Sequence, residues 1–255
     1  MRFNRSLVSG TILTAVLPLL LLATGCAYWG TNAPLNLLRY PAAEGGQSAD
    51  LIVMLRGRGG DHKSFEQDGF IRDLRERLCP QDVVIPDSHL GYYMAETLVP
   101  RLKTDVIAPA KAAGYRRIWL VGVSMGGLGA LMYLREHPED IDGVYVIAPF
   151  LGYEDIIAEV AGAGGVAAWQ PGSYDPGKDW ERMFWDWLKT YANDPAAWAP
   201  IFLGYGAQDS FNPAHRLLGA ILPPERIYAI QGGHDPRTMR KLWQLFLNDS
   251  ALIEK

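Results

Sequence analysis

At Ser124 the sequence changes period within two residues, and this switch constrains the fold more than any other feature of the chain. Before it, Ile118-Trp119-Leu120-Val121 leads into Gly122-Val123 as an unbroken apolar run, the pattern of a strand buried on both faces. After it, 126–137 reads as a helix, small on one side at Gly127, Gly129 and Ala130, which suits close packing on a sheet. No residues are left over for a loop. A strand that enters a helix through Gly122-Val123-Ser124-Met125-Gly126 must turn sharply. Such a turn forces the serine into a strained backbone conformation and leaves no room for side chains at Gly122 and Gly126. G-x-S-x-G alone is a weak signal, but directly between a buried strand and a helix it marks a serine raised as a nucleophile. The helix N-terminus adds partial positive charge there. The plainer alternative is an ordinary serine in a tight turn.

The rest of the chain fits around this unit. Strand-like runs at 51–55, 83–85, 118–123, 143–147, 201–205 and 226–230 are short, rich in β-branched or aromatic residues, and bounded by Gly, Pro or Asp. Amphipathic stretches at about 69–78, 104–113, 126–137, 212–222 and 237–247 fill the gaps. This alternation predicts an α/β fold: a mostly parallel sheet with helices on both faces. A chain of 255 residues, 49% of them hydrophobic, builds such a core as one domain. Ligands of these sheets sit outside the carboxyl ends of the strands, so the loops after the strands are where chemistry belongs. One connection, 151–199, is too long for a simple crossover and holds five of the eight tryptophans. Within it Trp180, Met183, Phe184, Trp187, Leu188 and Tyr191 share one helical face, which predicts a helical cap over the catalytic edge. That stripe is either plain packing or the lining of an apolar pocket. The formal charge is −4 with no basic run, which argues against a nucleic-acid partner.

A serine hydroxyl needs a base. Of five histidines, His234 lies in Gln231-Gly232-Gly233-His234-Asp235 just after the last predicted strand, where glycines permit close approach. An imidazole base needs a carboxylate to fix its tautomer. Asp209 follows the strand at 201–205 and preserves the order Ser, Asp, His. Glu154 and Asp155 are the fallback acids, and the plainer role for Asp209 is to cap the helix near Asn212. Neither cofactor nor metal is expected, because the cysteines show no zinc-site spacing.

With these residues assembled, the chain from about Leu51 onward resembles the α/β-hydrolase superfamily. The segment 204–213 is similar to its acid-bearing stretch, and Gly233-His234 to its histidine loop. The resemblance implies a serine hydrolase that cleaves a small-molecule acyl ester or thioester through an acyl-enzyme on Ser124. Other enzymes on the same frame are a lipase, a peptidase or an acyltransferase, and a non-catalytic envelope lipoprotein is the rival outside enzymes. The oxyanion hole is expected from backbone N–H groups of Met125 and Arg58, with Gly59 as substitute. Many members read His-Gly where this chain has Arg56-Gly57. Arg56 and Arg58 are open to three readings: solvated, paired with Asp61 or Glu66, or binding an anionic substrate group.

The N-terminus is an address. Arg2 and Arg5 precede an apolar stretch that ends at Leu22-Ala23-Thr24-Gly25-Cys26. Those last residues resemble the lipobox of bacterial lipoproteins, which implies that Cys26 is acylated and that 1–25 is removed. On that reading 26–50 is a tether, with a short edge strand near 35–40, and 51–255 is the enzyme domain. The expected location is the cell envelope, attached to the membrane through the lipid. Ala27 favours the outer membrane if the source is Gram-negative. A plain secretory signal or an uncleaved anchor are the alternatives. Cys79 is then an unpaired thiol.

Overall fold

A computed structural model describes residues 30–42 and 48–249. Among these, seven strands form one sheet in the order β1-β3-β2-β4-β5-β6-β7. They are β1 (Leu37–Tyr40), β2 (Asp50–Leu55), β3 (Asp82–Pro86), β4 (Arg117–Val123), β5 (Gly143–Ile147), β6 (Ile201–Gly206) and β7 (Ile227–Ile230). All neighbours are parallel except β1, which runs antiparallel to β3. The mostly parallel sheet with helices on both faces is the architecture the period predicts.

Strand β2 shows why. Every residue of Leu51–Leu55 is buried. Leu51, Val53 and Leu55 enter one core, while Ile52 and Met54 enter the other. A strand wedged between two helical layers has no polar face to show, so alternation disappears. The helices are α1 (Ser64–Gln67), α2 (Phe70–Glu76), α3 (Leu90–Met94), α4 (Leu98–Leu102), α5 (Ala108–Ala112), α6 (Met125–Glu136), α7 (Glu154–Gly162), α8 (Trp180–Asn193), α9 (Asn212–Gly219) and α10 (Pro236–Asp249). A wide π turn at Lys103–Ile107 joins α4 to α5. The chain steps from β2 to β3 on one side and then to β4 on the other, so the sheet changes direction between β2 and β4. Loops diverge at such a switch point and open a crevice at the carboxyl edge.

The insertion between β5 and β6 is helical. Phe184, Trp187, Leu188 and Tyr191 of the stripe lie in the core, so most of it is packing. Trp180, at the start of α8, is half-buried and pairs with Phe150 after β5. Residues 30–42, within the stretch read as a tether, are docked. Thr31 N–H donates to Gly91, Leu35 N–H donates to Asp105 at 2.8 Å, and β1 joins the sheet edge. Cys26 and the signal at 1–25 lie outside the described residues. No helix among the described residues is long and apolar enough to cross a membrane. Cys79 is buried and unpaired, and burial pushes its thiol pKa up.

Beneath α6, Asp140 accepts hydrogen bonds from Lys103, Lys111 and Tyr133. His137 and Glu139 lie close by, but both Asp140 oxygens are already held by ammonium groups, which leaves no vacancy for a cation. Burial alone would raise the Asp140 carboxyl; the bonds from Lys103, Lys111 and Tyr133 outweigh it and bring its pKa down to about 2. A depressed carboxylate pKa contributes stability above its unfolded value and loses it as pH falls through the folded one. The unfolding free energy is therefore expected to drop by roughly 2 kcal/mol from this group between about pH 4 and pH 2. Asp140→Asn should flatten that part of the curve in urea titrations.

Candidate active site

The turn after β4 holds Ser124 at φ 53, ψ −117, a left-handed conformation that a non-glycine residue adopts only under constraint. The constraint is local crowding. A β-carbon on Gly122 would overlap the Gly126 carbonyl, and one on Gly126 would overlap the Leu55 carbonyl. Ser124 N–H donates to Ile147 at 2.9 Å, and its carbonyl accepts from Phe150 N–H at 3.0 Å. The end of β5 and the loop after it thus hold the turn, and the serine hydroxyl stands at the carboxyl edge.

His234 reaches it from the loop after β7. His234 Nε2 lies 3.0 Å from Ser124 Oγ, and His234 Nδ1 lies 2.8 Å from Asp209 Oδ2. The Asp209 side chain is fully buried, and its second oxygen accepts from Phe211 N–H at 2.8 Å. Burial would raise the Asp209 carboxyl, but the bonds from His234 and Phe211 outweigh it and hold it below the ordinary value. It stays ionised, an acceptor only, so Nδ1 carries the imidazole proton and Nε2 is free to accept from the serine. The loops that carry Asp209 and His234 are laced together. Ala207 N–H donates to Ile230, Gln208 N–H donates to Gly232, and Gly232 N–H returns a bond to the Gln208 side chain. A β-carbon on Gly206 would overlap the Gly232 carbonyl, so glycine is needed where the loops touch.

The fallback acids fall elsewhere. Glu154 and Asp155 are exposed in the first turn of α7. His215 on α9, fully buried, bonds through Nε2 to the Pro149 carbonyl at 2.9 Å. Burial lowers its pKa to about 4, so it is neutral near pH 7.

Met125 begins α6, so its N–H has no intrahelical acceptor and points out of the helix start. Its carbonyl accepts from the Tyr93 hydroxyl at 3.0 Å. Gly57 lies against Ser124: a β-carbon there would sit 3.3 Å from Ser124 Cβ. Arg58 follows it with an exposed side chain. Arg56 departs from two of its three sequence readings. Its side chain is 7% exposed, hence not solvated, and its ion-pair partner is Asp87 after β3, 3.2 Å from Nη2, instead of Asp61 or Glu66. Nη1 donates to the Gly57 carbonyl at 3.5 Å. In a trans peptide, holding the Gly57 carbonyl turns the Arg58 N–H to the opposite side. His62 Nδ1 is 3.8 Å from the same Asp87 carboxylate. Sequence reasoning misses this pair because Asp87 belongs to a different strand end and no spacing links it to Arg56. Asp87→Ala would leave a buried guanidinium without its counter-charge. The expected loss is about 3 kcal/mol, at the low end for such pairs because Asp87 is one-quarter exposed, and is read from the urea midpoint.

Comparison with protein families matches residues 50–217 to the alpha/beta hydrolase fold. No curated protein matches the sequence. Among solved structures, S-formylglutathione hydrolase from Staphylococcus aureus is similar at 13% identity and a TM-score of 0.61, covering 88% of this chain and 94% of that one. A fluorophosphonate-binding serine hydrolase of the same organism is similar at 12% identity and a TM-score of 0.56, covering 88% and 100%. Est1E of Butyrivibrio proteoclasticus, solved with ferulic acid bound, is similar at 15% identity and a TM-score of 0.54, covering 84% and 95%. At these identities the likeness is one of fold.

Proposed function

Because the chain belongs to the alpha/beta hydrolase fold family, we propose that it is a serine hydrolase that cleaves carboxylic esters or thioesters through an acyl-enzyme on Ser124. The observation that carries this reading is the unbroken relay from Ser124 Oγ through both His234 nitrogens to Asp209, with contacts of 3.0 and 2.8 Å. Ser124 Oγ attacks the substrate carbonyl as its proton passes to His234 Nε2. The imidazolium is stabilised by Asp209, and the oxyanion by the N–H groups of Met125 and Arg58. Collapse expels the alcohol or thiol, which takes the proton from Nε2. Water then repeats the sequence on the acyl-enzyme and frees the acid. The esterase and serine-hydrolase neighbours are consistent with ester cleavage.

Labelling with a fluorophosphonate probe tests the reading, since the probe phosphonylates an activated serine. Wild type should label, and Ser124→Ala should lose the label completely. A folded wild-type protein that stays unlabelled would overturn the proposal.

We further infer that the protein is a lipoprotein of the cell envelope, acylated at Cys26. The support is the sequence Leu22-Ala23-Thr24-Gly25-Cys26 behind a basic start and an apolar stretch. Gly30 and Thr31 already pack on α3, so four peptide units, at most about 14 Å, separate Cys26 from the folded body. The mass of the N-terminal peptide checks this: an unmodified Cys26 in the mature protein refutes it.

A further inference from the structure

The triad is bordered by aromatic rings that no step of the chemistry uses. Phe211 stands edge-on to the His234 ring, with centroids 5.1 Å apart at 86°. Phe150 stands edge-on to Phe211 at 5.6 Å. Tyr153 and Trp180 flank Phe150 at 5.3 and 6.3 Å. The result is a continuous wall of four rings running from the imidazole to the start of α8. It comes from two separate connections, Phe150, Tyr153 and Trp180 between β5 and β6 and Phe211 after β6, so no periodic pattern in the sequence announces it.

Two properties separate this wall from core packing. First, its rings remain accessible. Phe150, Trp180 and Phe211 are half-buried, and Tyr153 is 65% exposed, whereas the other members of the α8 stripe are sealed in the core. Second, the wall is fastened to the groups that do the chemistry. Phe150 N–H donates to the Ser124 carbonyl, and Phe211 N–H donates to Asp209 Oδ1. Tyr153 N–H donates to Glu181 on α8 at 2.5 Å. The rings are therefore held in fixed register with the serine and the imidazole, as a binding surface must be if it is to orient a substrate.

We propose that this wall is a substrate subsite for a planar aromatic group, and that the preferred esters carry an aryl ring next to the scissile bond. The proposal rests on the reading of Ser124 as nucleophile. Its chemical basis is the alternation of ring faces and edges along the wall. A face is electron-rich and an edge electron-poor, so an incoming aryl ring finds a complementary partner in either orientation. A saturated ring of the same size gains contact area but not that complementarity. Two such ring contacts together give a preference of about tenfold.

Matched covalent probes test this. Phosphonofluoridates that differ only in benzyl against cyclohexylmethyl are compared for the rate of Ser124 modification. One pair carries the group on phosphorus, as an acyl mimic, and a second pair carries it on the ester oxygen. Wild type should react about tenfold faster with the benzyl probe in at least one pair, and the pair that shows it tells which side of the scissile bond the wall serves. In Trp180→Leu and Phe150→Leu the benzyl to cyclohexylmethyl ratio should fall toward one. Equal rates for both members of both pairs, or a ratio that both variants leave unchanged, overturn the aromatic subsite while the serine-hydrolase reading stands. No modification by any probe overturns the serine-hydrolase reading itself, and this subsite with it.

Discussion

His234→Ala is expected to cut ester turnover about a millionfold, and Asp209→Asn about ten-thousandfold, with the double variant losing no more than His234→Ala alone. The imidazole sits between the other two groups, 3.0 Å from Ser124 Oγ and 2.8 Å from Asp209 Oδ2, so the serine has no other acceptor for its proton. His215 cannot replace it, because it is sealed in the core with its Nε2 on the Pro149 carbonyl and makes no hydrogen bond to Ser124. Asp209→Asn keeps the shape but presents an amide that can donate to Nδ1, which selects the wrong tautomer and leaves the imidazolium without its counter-charge. The groups act as one unit, so their losses do not add. Single-turnover release of p-nitrophenol measures all three variants, and additive losses would mean that Asp209 works independently of His234.

Gly126→Ala is expected to destabilise the fold by at least about 4 kcal/mol, the range of severe core disruptions. The new methyl would overlap the carbonyls of Leu55 and Arg56 at the end of β2, and backbone in the middle of a sheet has nowhere to move. Gly129→Ala is the control three residues on. There the methyl meets the ends of the Leu98 and Tyr93 side chains instead of backbone, at the cost of disturbing the Tyr93 bond to Met125, so a smaller loss of about 2 kcal/mol is expected. Denaturant melts of the two variants separate a strained turn from ordinary crowding.

Much of this architecture is written in the period of the sequence. Strands buried on both faces appear as apolar runs, and β5 matches its predicted bounds of 143–147. The helices that cover them appear as stripes, and α6 and α10 agree within a residue or two at most of their ends. The cluster of Ser124, Asp209 and His234 is legible because each member follows a strand, and strand ends define one edge. What escapes is of two kinds. Short elements such as α3, with Gly91 among its five residues, and α4, with Pro100, are too brief to repeat a period. Contacts between loops leave no local trace either. The Arg56–Asp87 pair and the ring wall at Phe150, Trp180 and Phe211 exist only once the switch point has gathered loops that are distant along the chain. The stripe on α8 shows the opposite failure: its period is strong, yet most of it reports burial rather than binding.

The spacing of the relay along the chain has a consequence for biosynthesis. Ser124 is followed by His234 only 110 residues later. The loop that bears His234 rests on α10, whose Leu242, Trp243 and Phe246 fill the second core. At roughly 5–20 residues per second on the ribosome, Ser124 emerges several seconds before His234. On the serine-hydrolase reading proposed above, a nascent chain, or one interrupted between β5 and β7, therefore holds an inert serine. On that reading the protein cannot cut esters while it is being made, and closing its C-terminal helix against the sheet is also the act that brings His234 to Ser124.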